Sequence, residues 1–206
     1  MDDERYVELA TVTDWEAVTA STYAGSLEIL KPAVDALAAG GRSGDGLITF
    51  AIDVADAAAT AERLRDAGHE VDEAPVWFED RGVGFLEIFV RDAPSYFPFF
   101  ITYDPPRAEL GKTRAAYRKE HGIEQPLNPG DLVALLIRTP DPASEAHLLG
   151  ELSGCTVDGT VVRLPGGEVR FEQGAPAGLY GFVVRGVDVP GGEIEIAGVT
   201  VRSEPD

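Results

Sequence analysis

Glu87 is the residue best placed to do chemistry. It interrupts an apolar run, Phe85, Leu86, Glu87, Ile88, Phe89. In a strand, alternation puts it on the Phe85/Phe89 side. A carboxylate held there out of water has its pKa raised, which suits a base or a ligand. On an exposed sheet face it would be an ordinary solvated glutamate. Nearby, Tyr96, Phe97, Phe99, Phe100 and Tyr103 fall in one predicted strand. Alternation assigns about half of such a row to a core. The others could line an apolar ligand cleft; Phe85, Phe89, Phe100 and Arg81 are the residues assigned to it. Arg81, with Gly82 and Gly84, could form an anion-binding turn, or a plain exposed loop. Glu8 alternates with Val7 and Leu9, so it points into a cleft or to solvent.

Other reactive residue types are scattered. His69, His121 and His147 are far apart, so no local metal motif exists. His69 follows a predicted helix C-terminus, where a cation is favourable. Cys155 is the one cysteine, which rules out an internal disulfide or a Cys-cluster zinc site. Beside a predicted helix end it reads as an inert thiol.

These residues need elements to hold them. Residues 47–54 form an apolar, β-branched run that predicts a buried strand. Asp53 is positioned to cap the helix that follows, with Asp56 in its first turn. Ala57, Ala61 and Leu64 share one helical face, and Gly68 stands just past the end. A short strand near residues 70–71 follows, then a loop with Pro75 and the Gly82–Gly84 turn. Residues 85–90 and 97–103 predict two more strands, so the order is β-α-β-β-β.

Upstream, residues 6–13 predict a strand. Thr13 to Glu16 fit a capping box that opens a short helix. Residues 26–39 carry a helical pattern, with Pro32 as a kink or a first turn. Downstream, residues 105–130 are charged and rich in Pro and Gly, a linker with at most a short helix near 107–119. Residues 132–137 (LVALLI) then begin a second strand-helix-strand series. Pro140 or Pro142 opens its helix, Gly154 ends it, and three strands and a terminal hairpin around Gly198 follow. A shift of 85 positions carries Leu47 onto Leu132, Asp56 onto Asp141, Ala61 onto Ala146 and Leu64 onto Leu149. The expected organisation is an N-terminal remnant over 1–45, a complete βαβββ module over 46–104, the linker over 105–130, and a second module over 131–206. The fold class is α+β, with paired βαβββ modules forming curled mixed sheets around a cleft and helices outside.

Composition narrows the partners. The net charge is −19, from 36 acidic and 17 basic residues spread through every segment. Such a field disfavours nucleic acid and anionic membrane surfaces. The even spread is that of a halophile's cytosolic proteins; an acidic mesophilic protein is the other reading. No run of about 18 apolar residues predicts a membrane helix. The acidic start, MDDERY, argues against a signal peptide. A cytoplasmic protein is expected.

The chain resembles the vicinal oxygen chelate superfamily, in its glyoxalase-like branch. The resemblance rests on Tyr6, Val7, Glu8 and Leu9, on Gly46 and Leu47, on residues 53–68 (DVADAAATAERLRDAG), and on Pro98, Phe99, Phe100 and Ile101. It covers most of residues 5–105 and is looser from 131 on. It implies paired modules, a small-molecule ligand in the cleft, and a divalent metal ion held by a His on a module's first strand and a Glu on its last. Glu8 occupies the ligand position of a first module's last strand. The His-bearing part of that module does not precede it; a misplaced start, a truncated gene or a reduced variant each account for this. Leu47 and Leu132 stand where a first-strand His would, and Phe100 where a last-strand Glu would. None of the three can bind a cation. The resemblance therefore supports a metal-assisted enzyme, with Glu8 as metal ligand and Glu87 as catalytic base. The alternative, favoured by the missing His and by Leu47, Leu132 and Phe100, is a non-catalytic ligand-binding or protein-interaction module that has lost the metal. A third reading is a remnant completed by a second copy, a homodimer.

Overall fold

The structure, a computed structural model, describes residues 7–8, 14–39, 45–123 and 130–205. The chain divides into two units, residues 1–32 with 50–127 and residues 33–49 with 128–206. Each carries a curled, unclosed mixed sheet with helices packed against it, an α+β fold. No helix among the described residues is long and apolar enough to cross a membrane.

The first unit begins with α1 (Trp15–Thr19) and the start of α2 (Ala24–Ala39). It continues through β1 (Ala51–Asp53), α3 (Ala57–Asp66), β2 (Val71–Phe78), β3 (Val83–Val90), β4 (Phe99–Asp104) and α4 (Arg107–Glu120). The sheet order is β1-β4-β3-β2, with β1 parallel to β4 and the other pairs antiparallel. Helix α3 forms where the apolar spacing demands. Ala57, Ala61 and Leu64 make one face and are 0–1 % exposed. Asp56 caps it by accepting from the Ala59 amide at 2.9 Å, and Gly68 takes the left-handed turn after it at φ 96°. Arg65 of α3 reaches Glu73 of β2 at 2.7 Å. Glu73 pairs with Ile88, and Ile88 with Phe100. Cross-strand partners share a face, so α3 covers the Ile88/Phe100 side.

The second unit holds β5 (Asp131–Thr139), α5 (Pro142–Ser153), β6 (Thr156–Asp158), β7 (Val161–Leu164), β8 (Gly167–Gln173), β9 (Gly178–Arg185), β10 (Glu193–Ile196) and β11 (Val199–Glu204). Their order is β10-β11-β9-β5-β8-β7-β6. Asp141 caps α5, Pro142 stands in its first turn and Gly154 closes it at φ 68°. Ala146, Leu149 and Leu152 are buried on one face of α5, and the counterparts of the first two, Ala61 and Leu64, are buried in α3.

Several local expectations shift. The cap of α3 is Asp56, not Asp53, because the chain needs three more residues to leave β1. Residues 47–50 lie outside the regular strand; pairing starts where the Phe99 amide donates to Phe50 at 3.1 Å. Pro75 is not in a loop but inside β2. It is tolerated because β2 is an edge strand, where no neighbour needs its missing N–H. The helix α1 is capped by Asp14, which accepts from Glu16 and Ala17. Pro32 lies inside α2. Strand β6 is an addition to the predicted elements. Most of the strand predicted over 6–13 lies outside the described residues, as does Thr13.

Candidate functional site

The face of the first sheet away from α3 carries Phe85, Glu87 and Phe89 from β3. Their register partners Ile101 and Tyr103 on β4, and Ala74 and Val76 on β2, share it. Aromatic rings run along it. Phe85 meets Tyr103 with centroids 6.0 Å apart, and Phe89 stacks on Phe99 at 5.3 Å. The start of α2 closes over this row. Tyr23 lies 5.7 Å from Phe78 and 6.1 Å from Phe85, and the Ser26 hydroxyl donates to Glu87 Oε2. Glu87 is 8 % exposed and Ser26 5 %.

Burial pushes the Glu87 carboxyl above its ordinary value, the Ser26 hydrogen bond opposes this, and the negative charge of nearby Glu8 adds to the rise. Glu8 itself is exposed. The charge of Glu8 thus reaches Glu87, although the two are far apart along the chain.

The raised pKa has a stability consequence. The folded state holds the Glu87 proton more tightly than the unfolded chain does. Its contribution is therefore fully present below the ordinary value of 4.5 and is lost as pH rises through the higher folded value. Glu87→Gln keeps an acceptor for Ser26 and removes the buried charge. Its melting temperature should exceed that of the wild type at neutral pH, and the gap should close below pH 4.5. A gap that does not change with pH, followed by thermal melts, would rule out a proton on Glu87 as its origin.

The other cleft residues separate. Phe100 does not face Glu87. Its register partners are Ile88 and Ile52, and it is 1 % exposed in the core on the α3 side. Arg81 stands in the exposed β2–β3 turn, beyond the end of the aromatic row. It lies over the Phe78 ring at 5.7 Å and pairs with Asp80 at 3.6 Å. A shallow cleft of about 580 Å³ opens by the start of α3, with Trp77, Leu86 and Asp104 among its lining, and it also touches Phe85 and Tyr103. Its polar groups are largely committed. Asp56 caps α3, and the Thr102 hydroxyl donates to the Val54 carbonyl at 2.7 Å.

Ser26 and Tyr23 are site residues that a motif search passes over. The signal for Ser26 is its spacing: it precedes Leu30 and Ala33 by four and seven positions, on the apolar stripe of its helix. The second unit holds a polar network that has no local signature. The Tyr180 hydroxyl donates to Glu172 at 2.5 Å, and Arg202 bridges Glu172 and Glu193, each at 2.5 Å. Burial and the Glu172 hydrogen bond push the Tyr180 phenol up to about 12. Burial would raise Glu172, but hydrogen bonds from Arg202 and Tyr180 outweigh it and hold the carboxyl low.

The donor set of the described residues does not suit a chelated divalent cation. Among the described residues no group of three or more His, Cys, Asp or Glu is arranged to hold a metal.

A family model described as a glyoxalase-like domain matches residues 1–152. Among solved structures, the "Crystal Structure of a hypothetical protein from Staphylococcus aureus" is similar, at 14 % sequence identity and a TM-score of 0.64. The match covers 92 % of this chain and 75 % of that one and shows a shared fold. No curated protein matches the sequence.

Proposed function

The chain belongs to the glyoxalase-like domain family of the vicinal oxygen chelate superfamily, and from that premise we propose that it binds a small organic molecule on the Glu87 face of its first sheet. The ligand class is a carbonyl compound with a second oxygen on the adjacent carbon, and Glu87 exchanges a proton with it. The observation that carries this reading is the Ser26–Glu87 pair, buried among aromatic rings.

A raised pKa brings a carboxylate nearer to the operating pH and makes it a stronger base than a solvated glutamate. Ionised Glu87 takes a proton from the carbon next to the carbonyl, and the electron pair moves onto the carbonyl oxygen. Protonated Glu87 no longer needs the Ser26 hydrogen, which is then free to turn to that oxygen. The proton returns by the reverse path. No step is assigned to a metal. Tyr23 and Ser26 must move aside for a ligand to reach Glu87.

A second reading, a non-catalytic small-molecule-binding module, is favoured by that same cover and by Leu47 and Leu132. Hydroxyacetone in D2O separates the two. Deuterium entering next to the carbonyl, read by NMR and dependent on Glu87, supports proton exchange. Saturable binding without exchange supports the binding module. If neither occurs, both readings fail.

A further inference from the structure

We propose that Arg138, placed over the Tyr180 ring in the second unit, anchors a binding site for a small carboxylate. This does not rest on the Glu87 reading.

The guanidinium carbon of Arg138 lies 4.1 Å from the Tyr180 ring centroid. The ring cannot easily yield. It is 8 % exposed, and its hydroxyl is tied to Glu172. Each Glu172 oxygen already has a partner, Oε2 accepting from Tyr180 and Oε1 from Arg202. The neighbouring arginines on this sheet all have carboxylate partners. Arg163 pairs with Asp158 and Glu168, Arg170 with Glu168 and Glu204, and Arg202 with Glu172 and Glu193. Arg138 has the ring and the field of Glu172, but no hydrogen bond or ion pair among the described residues. In a chain with 36 acidic residues against 17 basic ones, a half-buried guanidinium that feels a carboxylate's field but makes no ion pair is out of pattern.

The backbone makes room for this placement. A Cβ added at Gly174 would stand 2.7 Å from Arg138 Cδ and 2.8 Å from Cγ. Glycine there lets the Arg138 stem pass and the head group reach the ring. A stacked guanidinium uses its flat face on the aromatic and keeps its N–H edge in the plane. That edge fits two parallel hydrogen bonds to a carboxylate, which is planar and of matching width. Phosphate can meet the same fork but carries a larger negative charge, which a chain with 36 acidic against 17 basic residues disfavours.

Acetate is the probe. The full chain is titrated by NMR while sodium acetate replaces sodium chloride at constant ionic strength, following the Arg138 side chain and the Gly174 and Tyr180 amides. Saturable shifts are expected. Arg138→Gln should weaken them about tenfold or more. Gly174→Ala keeps the net charge but displaces the Arg138 stem, and should also weaken binding. Thermal melts confirm that both variants fold. Absence of saturable acetate binding in the wild type overturns the proposal. So does acetate affinity unchanged in folded Arg138→Gln. Inorganic phosphate that displaces acetate with equal or higher affinity overturns the assignment to carboxylates.

Discussion

Glu87→Gln should lower exchange of the protons next to the hydroxyacetone carbonyl by about a hundredfold or more. Removing a positioned general base typically forfeits a factor of about 10² to 10⁴. Glutamine preserves the shape and the acceptor for Ser26 but cannot take the proton. The same change should leave the protein at least as stable at neutral pH, because a buried carboxylate is costly to ionise. The pairing of lost exchange with retained or raised stability is what sets a functional carboxylate apart from a structural one. Full exchange in a folded Glu87→Gln protein would remove Glu87 from the reaction.

Phe100→Ala should destabilise the protein by about 3–5 kcal/mol. The ring is 1 % exposed and lies on the face shared with Ile52 and Ile88 beneath α3. Its removal leaves a cavity that neighbouring strands cannot close. Arg81→Ala, at an exposed turn, should cost under about 0.5 kcal/mol. Urea unfolding of both variants measures the contrast. A Phe100→Ala loss below about 1 kcal/mol would mean the ring lines open space, as a cleft residue would.

How much of this was legible depended on distance along the chain. The packed face of α3 could be read from Ala57, Ala61 and Leu64, because helical spacing is local. The same holds for α5, with Pro142 at its start and Gly154 at its end. Glu87 with Phe85 and Phe89 also followed from alternation within one strand. Phe100 did not, since its face is set by which residue of β3 it pairs with. That register passes through the connection at residues 91–98, whose geometry no periodicity describes. Ser26 is 61 residues from Glu87, so only the folded chain brings hydroxyl and carboxylate together. Tyr180, Arg138 and Arg202 lie on three strands and have no motif in common. Pro75 read as a loop residue because a proline says nothing by itself about whether its strand is an edge.

The contact of Tyr23 and Ser26 over the Glu87 face also sets a timetable. If a ligand can enter only while the start of α2 is lifted, its apparent dissociation constant is the intrinsic one divided by the fraction of molecules that are open. Affinity would then be governed as much by the equilibrium of one helix end as by the contacts the ligand makes. Association would become a two-step process, with opening first and capture second. At high ligand concentration the observed rate would level off at the opening rate, and a stopped-flow trace that keeps accelerating would mean the face is never shut.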